Sequence, residues 1–294
     1  MSRDAGAHSG GDRSAAACEQ ALRGAFAAMD NRRPDEAERI ALAQLAKTKE
    51  EPRLLHVLGV ALLSQGRAGE AVAPLEGAAR ARADAVVETQ LALALRQSGR
   101  IPEALHWLQR ASERQPPFPF AFHELGVLLL SERRLAEAEA VVRRGLEAAP
   151  SMLELSVLLG GVLLDRGDRA NAKVAFARVL ANAPRQPGAL YGFGAVLMED
   201  GEFARAAERF RQAIACDPTY TQARVSLGAC LLELGQREEA LAHLRAAAAV
   251  SPQFYGKALR ALVNSGHGQF WLRPSAAAEF LKRDKENAGN AGSL

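Results

Sequence analysis

The chain has 294 residues, 48% of them hydrophobic and only 5% aromatic, enough apolar material to bury a sizeable core built mainly from aliphatic side chains. Its 37 basic and 34 acidic residues leave a net charge of +3, too close to balance for a nucleic-acid footprint. Three cysteines, Cys18, Cys216 and Cys230, make an odd set without framework spacing, which argues against a disulfide scaffold and fits a reducing, cytoplasmic compartment.

Residues 1–17 hold Gly, Ser, Asp and Arg without apolar periodicity, so a disordered N-terminal tail is expected. The tetrad Ala15-Ala16-Ala17-Cys18 has the outline of a lipoprotein site, but no apolar stretch precedes it. No segment approaches the roughly 20 apolar residues of a membrane helix, and no membrane insertion is expected.

From residue 18 to 252 the chain repeats itself. Alanine stands at Ala37, Ala71, Ala104, Ala138, Ala172, Ala206 and Ala240, a return every 34 residues and once after 33. Twelve residues before each lies another small residue: Ala25, Gly59, Ala92, Gly126, Gly160, Gly194 and Gly228. Twelve after the last five of these alanines comes proline, at Pro116, Pro150, Pro184, Pro218 and Pro252. Three series of different residue types in one register require a tandem array.

The unit from Pro187 to Tyr220 carries every mark of the repeat. A first helix is expected over about Gly188 to Asp200, with Leu190, Phe193, Gly194 and Leu197 on one stripe. Gly201 ends it by entering the left-handed cap conformation. A second helix is expected from Phe203 to Cys216, with Ala206, Phe210 and Ala213 inward and Pro218 as the stop. So short a turn makes the pair antiparallel, and the small residues let the axes approach to about 8–10 Å. One pair cannot bury its own stripe, so stability accumulates along the stack, and one elongated domain is expected.

After Pro252, Phe254, Leu259, Leu262 and Val263 form an amphipathic capping helix with Lys257 and Arg260 outward. Beyond it His267-Gly268-Gln269-Phe270-Trp271-Leu272-Arg273-Pro274 is the most aromatic short stretch, followed by a short helix from Ala276 to Lys282 with Ser275 as N-cap. The stretch is either a strap packed back on the cap or an exposed docking peptide, so 253–283 is assigned to cap and strap. Residues 284–294 are small and polar, a flexible tail.

The small and large residues at this spacing resemble the tetratricopeptide repeat over seven units, starting near Cys18, Pro52, Ala85, Pro119, Leu153, Pro187 and Thr221. The first unit departs most, with Ala25 for glycine, Ala41 where a large residue is usual and Lys49 for proline, as in a modified end cap. The resemblance implies an all-α fold, an α-solenoid of antiparallel helix pairs forming a right-handed superhelix with a C-terminal capping helix. It also implies that the residues one, four, eight and eleven places after each repeat's first residue line a concave groove. Carried over by position, these include His56, Val60, Thr89, Leu93, Arg96, Phe120, His123, Val127, Val157, Tyr191, Met198 and Val225. That surface is mostly apolar, with Phe120 and Tyr191 as aromatic anchors. The lysine, asparagine and arginine clamp by which some relatives hold chaperone C-terminal carboxylates is absent.

No phosphate-binding glycine loop, His-Glu-x-x-His, Cys-x-x-Cys or Gly-x-Ser-x-Gly is present. His56 and His123 are two repeats apart, about 16–20 Å, too far to share a metal. The acidic pairs Glu50-Glu51, Glu199-Asp200 and Glu238-Glu239 fall at helix ends, where charge is solvated. The expectation is a non-enzymatic adaptor without cofactor or metal, binding an apolar or amphipathic segment of a partner protein. A self-assembling homo-oligomeric scaffold and an accessory that presents substrates to a separate enzyme are the alternatives. Pentatricopeptide-type RNA reading would need a basic groove, and this one carries two arginines among aliphatic residues.

Overall fold

A computed structural model of the chain describes residues 8–48 and 50–264, and among these every regular element is an α-helix. They come as successive pairs: α1 (His8–Asp30) with α2 (Pro34–Thr48), α3 (Pro52–Ser64) with α4 (Ala68–Ala81), and α5 (Ala85–Gln97) with α6 (Ile101–Ser112). There follow α7 (Pro119–Ser131) with α8 (Leu135–Ala148), α9 (Leu153–Asp165) with α10 (Arg169–Asn182), and α11 (Pro187–Glu199) with α12 (Phe203–Cys216). The last pair is α13 (Thr221–Glu233) with α14 (Arg237–Ala248), and α15 (Pro252–Asn264) packs on both of its helices. Where one array was expected, the contacts divide the chain into two compact units, the first ending at Ser151 and the second starting at Met152.

Each turn inside a pair is closed by the same two hydrogen bonds. After α11, Gly201 N–H donates to Met198 O and Glu202 N–H to Leu197 O, at 3.1 and 2.8 Å, and the last carbonyls of the helix are thereby satisfied. The residue at the bend has positive φ: Gly66, Gly99, Gly167, Gly201 and Gly235 in five pairs, Arg32 and Arg133 in the other two. The chain then enters the next helix with its axis reversed.

The periodic alanines are the tightest points of the core, all seven at 0% exposure. The periodic glycines answer large residues of the second helix. An ideal Cβ on Gly59 would lie 2.4 Å from Leu75 Cγ, and one on Gly194 2.8 Å from Phe210 Cε1. Phe176 is held from two sides, since a Cβ on Gly160 of its own pair or on Gly192 of the next pair would collide with its ring. Gly192 lies outside the three periodic series and was not singled out by them. In the third pair Glu88 is wholly buried where other repeats carry Leu55 or Phe122, and Arg110 and Arg114 close over its carboxylate at 3.1 and 2.7 Å. Losing either arginine would strand a buried charge.

Two sequence boundaries move. Residues 8–17, expected as disordered tail, belong to α1, which starts ten residues before the repeat; a polar extension adds turns to a helix without adding an apolar stripe. In α15 the buried residues are Ala258 and Leu262, while Val263 is 40% exposed rather than inward. Lys257, expected outward, donates to Gln222 Oε1 at 2.5 Å and lies over the Phe254 ring. The aromatic stretch 267–274, the helix expected over 276–282 and the tail 284–294 lie outside the described residues.

Candidate functional site

The first helices of successive pairs touch one another, α1 with α3, α3 with α5 and α5 with α7 in the first unit. Side chains one repeat apart therefore meet, and the sequence places polar partners there. Arg53 Nη2 donates to Glu19 Oε1 at 2.6 Å between α1 and α3, and His56 Nε2 meets Gln90 Oε1 between α3 and α5. Between α5 and α7, Arg96 Nη1 lies 3.2 Å from Glu124 Oε2, an ionic contact without a well-directed hydrogen bond. The other oxygen of Glu124 is 3.1 Å from His123 Nδ1. Hydrogen bonding to Glu19 and Glu51 raises the Arg53 pKa further above its already high ordinary value. The charges named on this face are thus spent on each other.

What stays open to solvent is apolar. Phe120 is 39% exposed, its ring stacked on His123 at 5.9 Å and met edge-on by Phe118 at 6.1 Å. Val86, in the equivalent place one repeat earlier, is 36% exposed. A second row runs Phe26, Val60, Leu93, Val127, one residue per first helix; Phe26 is 46% exposed and the other three are partly buried. Phe26 was missed because groove positions were not carried into the divergent first repeat; counting eight places from Cys18 finds it.

Not every expected site residue reaches the surface. Thr89 is wholly buried, its hydroxyl donating to Ala85 O at 2.6 Å, so it can only support α5. Val225 is buried in the cluster that joins α13, α14 and α15. In the second unit Val157 and Met198 are partly buried against neighbouring core residues. Tyr191 is wedged between Phe210 and Tyr220, ring centroids 5.6 and 5.2 Å away, and packs on two core clusters, so much of its ring is already committed. Burial, with Tyr191 and Asp217 nearby, pushes the Tyr220 phenol up to about 12. The aromatic anchor in solvent is Phe120. His56, Leu93, Arg96, His123 and Val127 accompany it on the face of the first unit, partly buried.

Among the described residues no group of three or more His, Cys, Asp or Glu could hold a metal ion, and no helix is long and apolar enough to cross a membrane. Burial pushes the Cys230 thiol up to about 12, which leaves it a core residue rather than a nucleophile.

Comparison with known proteins agrees with this architecture. A profile described as tetratricopeptide repeat matches residues 22–86, 89–152 and 157–221, and a second of the same description matches 197–263. No curated protein sequence matches the chain. Among solved structures, a tetratricopeptide repeat protein from Parabacteroides merdae superposes with a TM-score of 0.69 at 17% identity, over 90% of this chain and 98% of that one. PilF of Pseudomonas aeruginosa gives 0.57 at 18%, over 70% and 95%. The human IFIT1 dimer with PPP-AAAA gives 0.62 at 14%, over 88% and 66%. At these identities the likeness is one of fold.

Proposed function

The chain belongs to the tetratricopeptide repeat family, and from that premise we propose that it is a non-catalytic adaptor whose first unit binds an apolar or amphipathic segment of a partner protein. The observation that carries this reading is the face built from α1, α3, α5 and α7. Its named charges are paired between neighbouring repeats, while Phe26, Val86 and Phe120 are left exposed. A partner gains by covering those side chains and has no named charge left to answer, so the binding energy is apolar burial with Phe120 as anchor. An amphipathic helix laid across the row of one apolar residue per repeat suits that surface. Three free thiols, Cys18, Cys216 and Cys230, suit work in the reducing cytoplasm.

The test is photo-crosslinking in the cell from a photoreactive residue at Phe120, with the same residue at exposed Arg80 on α4 as control. The adaptor reading expects one protein captured from Phe120 and not from Arg80. Equal capture from both positions, or none from Phe120, would count against it.

A further inference from the structure

The residue that closes the first helix of each repeat is polar in six repeats, Asn31, Gln65, Ser98, Glu132, Arg166 and Asp200, and is Leu234 in the seventh. Leu234 follows the last turn of α13 and is 38% exposed; Val263, in the last turn of α15, is 40% exposed. The two stand at one edge. The chain reverses between α13 and α14 and again before α15, so α13 and α15 run the same way. Leu232 packs against the cluster that contains Leu262, which brings their C-terminal ends together. Single exposed aliphatics are ordinary on protein surfaces. These two differ in sitting where the chain itself supplies apolar material.

α15 ends at Asn264, and Phe270-Trp271-Leu272 begins six residues later, with Gly266 and Gly268 in the connection. Five connecting residues span at most about 18 Å, roughly two helix spacings of 8–10 Å, enough to reach either helix end. We infer that Phe270, Trp271 and Leu272 fold back over Leu234 and Val263 and seal the C-terminal edge of the second unit. The size of the patch selects this occupant. Two side chains are far less than the about 800 Å² per partner of a stable protein interface, so a separate chain would not stay. A segment tethered by five residues acts at an effective concentration in the millimolar range, where so small a contact suffices.

The chain has two tryptophans, Trp107 and Trp271, so a Trp107→Phe background makes Trp271 the only reporter. In that full-length protein Trp271 emits to the blue of a free peptide of residues 265–294 and is protected from acrylamide. Adding Leu234→Asp returns both readings toward the free peptide with the far-ultraviolet circular dichroism unchanged. Adding Val250→Asp, at the 60%-exposed valine of the opposite edge, leaves them as they were. Emission equal to the free peptide, insensitivity to Leu234→Asp, or a blue shift that appears only as protein concentration rises would each overturn the inference. A reporter-free measurement stands beside it: truncation after Asn264 speeds amide exchange in the last turns of α13 and α15 but not in α11, and unchanged rates would overturn the inference equally.

Discussion

Gly194 packs against Phe210 so closely that an added Cβ would also stand 3.2 Å from Arg209 Cβ. Gly194→Leu therefore overpacks the α11–α12 crossing and should cost about 1–3 kcal/mol, read as a lower denaturation midpoint; an unchanged midpoint would mean that the pair does not close there. Backbone conformation gives a second test. Gly201 has φ of +77° and should lose about 1 kcal/mol on Gly201→Ala. Arg32 occupies the equivalent bend at φ of +56°, and Arg32→Gly should gain about half a kcal/mol, the strain relieved outweighing the added chain entropy. Opposite signs at equivalent positions are the signature; equal signs would contradict it. The periodic glycines and alanines were legible because their series overlap. The burial of Thr89 and the wedging of Tyr191 against Tyr220 were not, because both depend on neighbours supplied by other segments, which spacing within one repeat does not contain.

The helix pairs carry a recurring staple. Where each second helix of the first unit begins, an arginine forks onto the glutamate three residues on: Arg67 with Glu70, Arg100 with Glu103 and Arg134 with Glu137, at 2.6 to 2.8 Å. Hydrogen bonding from arginine lowers all three carboxyl pKa values from 4.5. Since the folded state then binds its protons later than the unfolded chain, the contribution is complete above about pH 4.5 and is withdrawn as pH falls through the depressed values. His243 works on a higher window. Burial lowers its pKa from 6.5, so the unfolded chain takes up that proton first and stability declines as pH falls below 6.5. A melting profile should show a shallow loss below pH 6.5 and a steeper one below 4.5, and the triple change Glu70→Gln, Glu103→Gln, Glu137→Gln should flatten only the acid limb. An acid limb of unchanged slope would remove the forks from the account. Element boundaries near the type repeat were readable, α12 from Phe203 to Cys216 among them. The start of α1 was not, since helical turns without a buried face leave no periodic signal.

At the scale of the chain, the first repeat decides between an adaptor and an end-to-end scaffold. At the places where α3 buries Leu54, Val57 and Ala61 against the preceding pair, α1 carries Gln20, Arg23 and Ala27, all exposed. A polar end face is what a terminal repeat needs to stay soluble and is a poor seat for a second copy. The surface left for recognition is the first-helix face of the first unit, where the sequence indicated the positions but not that neighbouring repeats neutralise their charges. The most direct test is the affinity of the protein captured from Phe120 for the wild-type chain and for Phe120→Ala, each at low and high salt. The account predicts a loss of about 2 kcal/mol, more than tenfold in Kd, with little change across the salt range because the face offers paired charges. Equal affinities for the two chains, or binding that collapses as salt is raised, would contradict it.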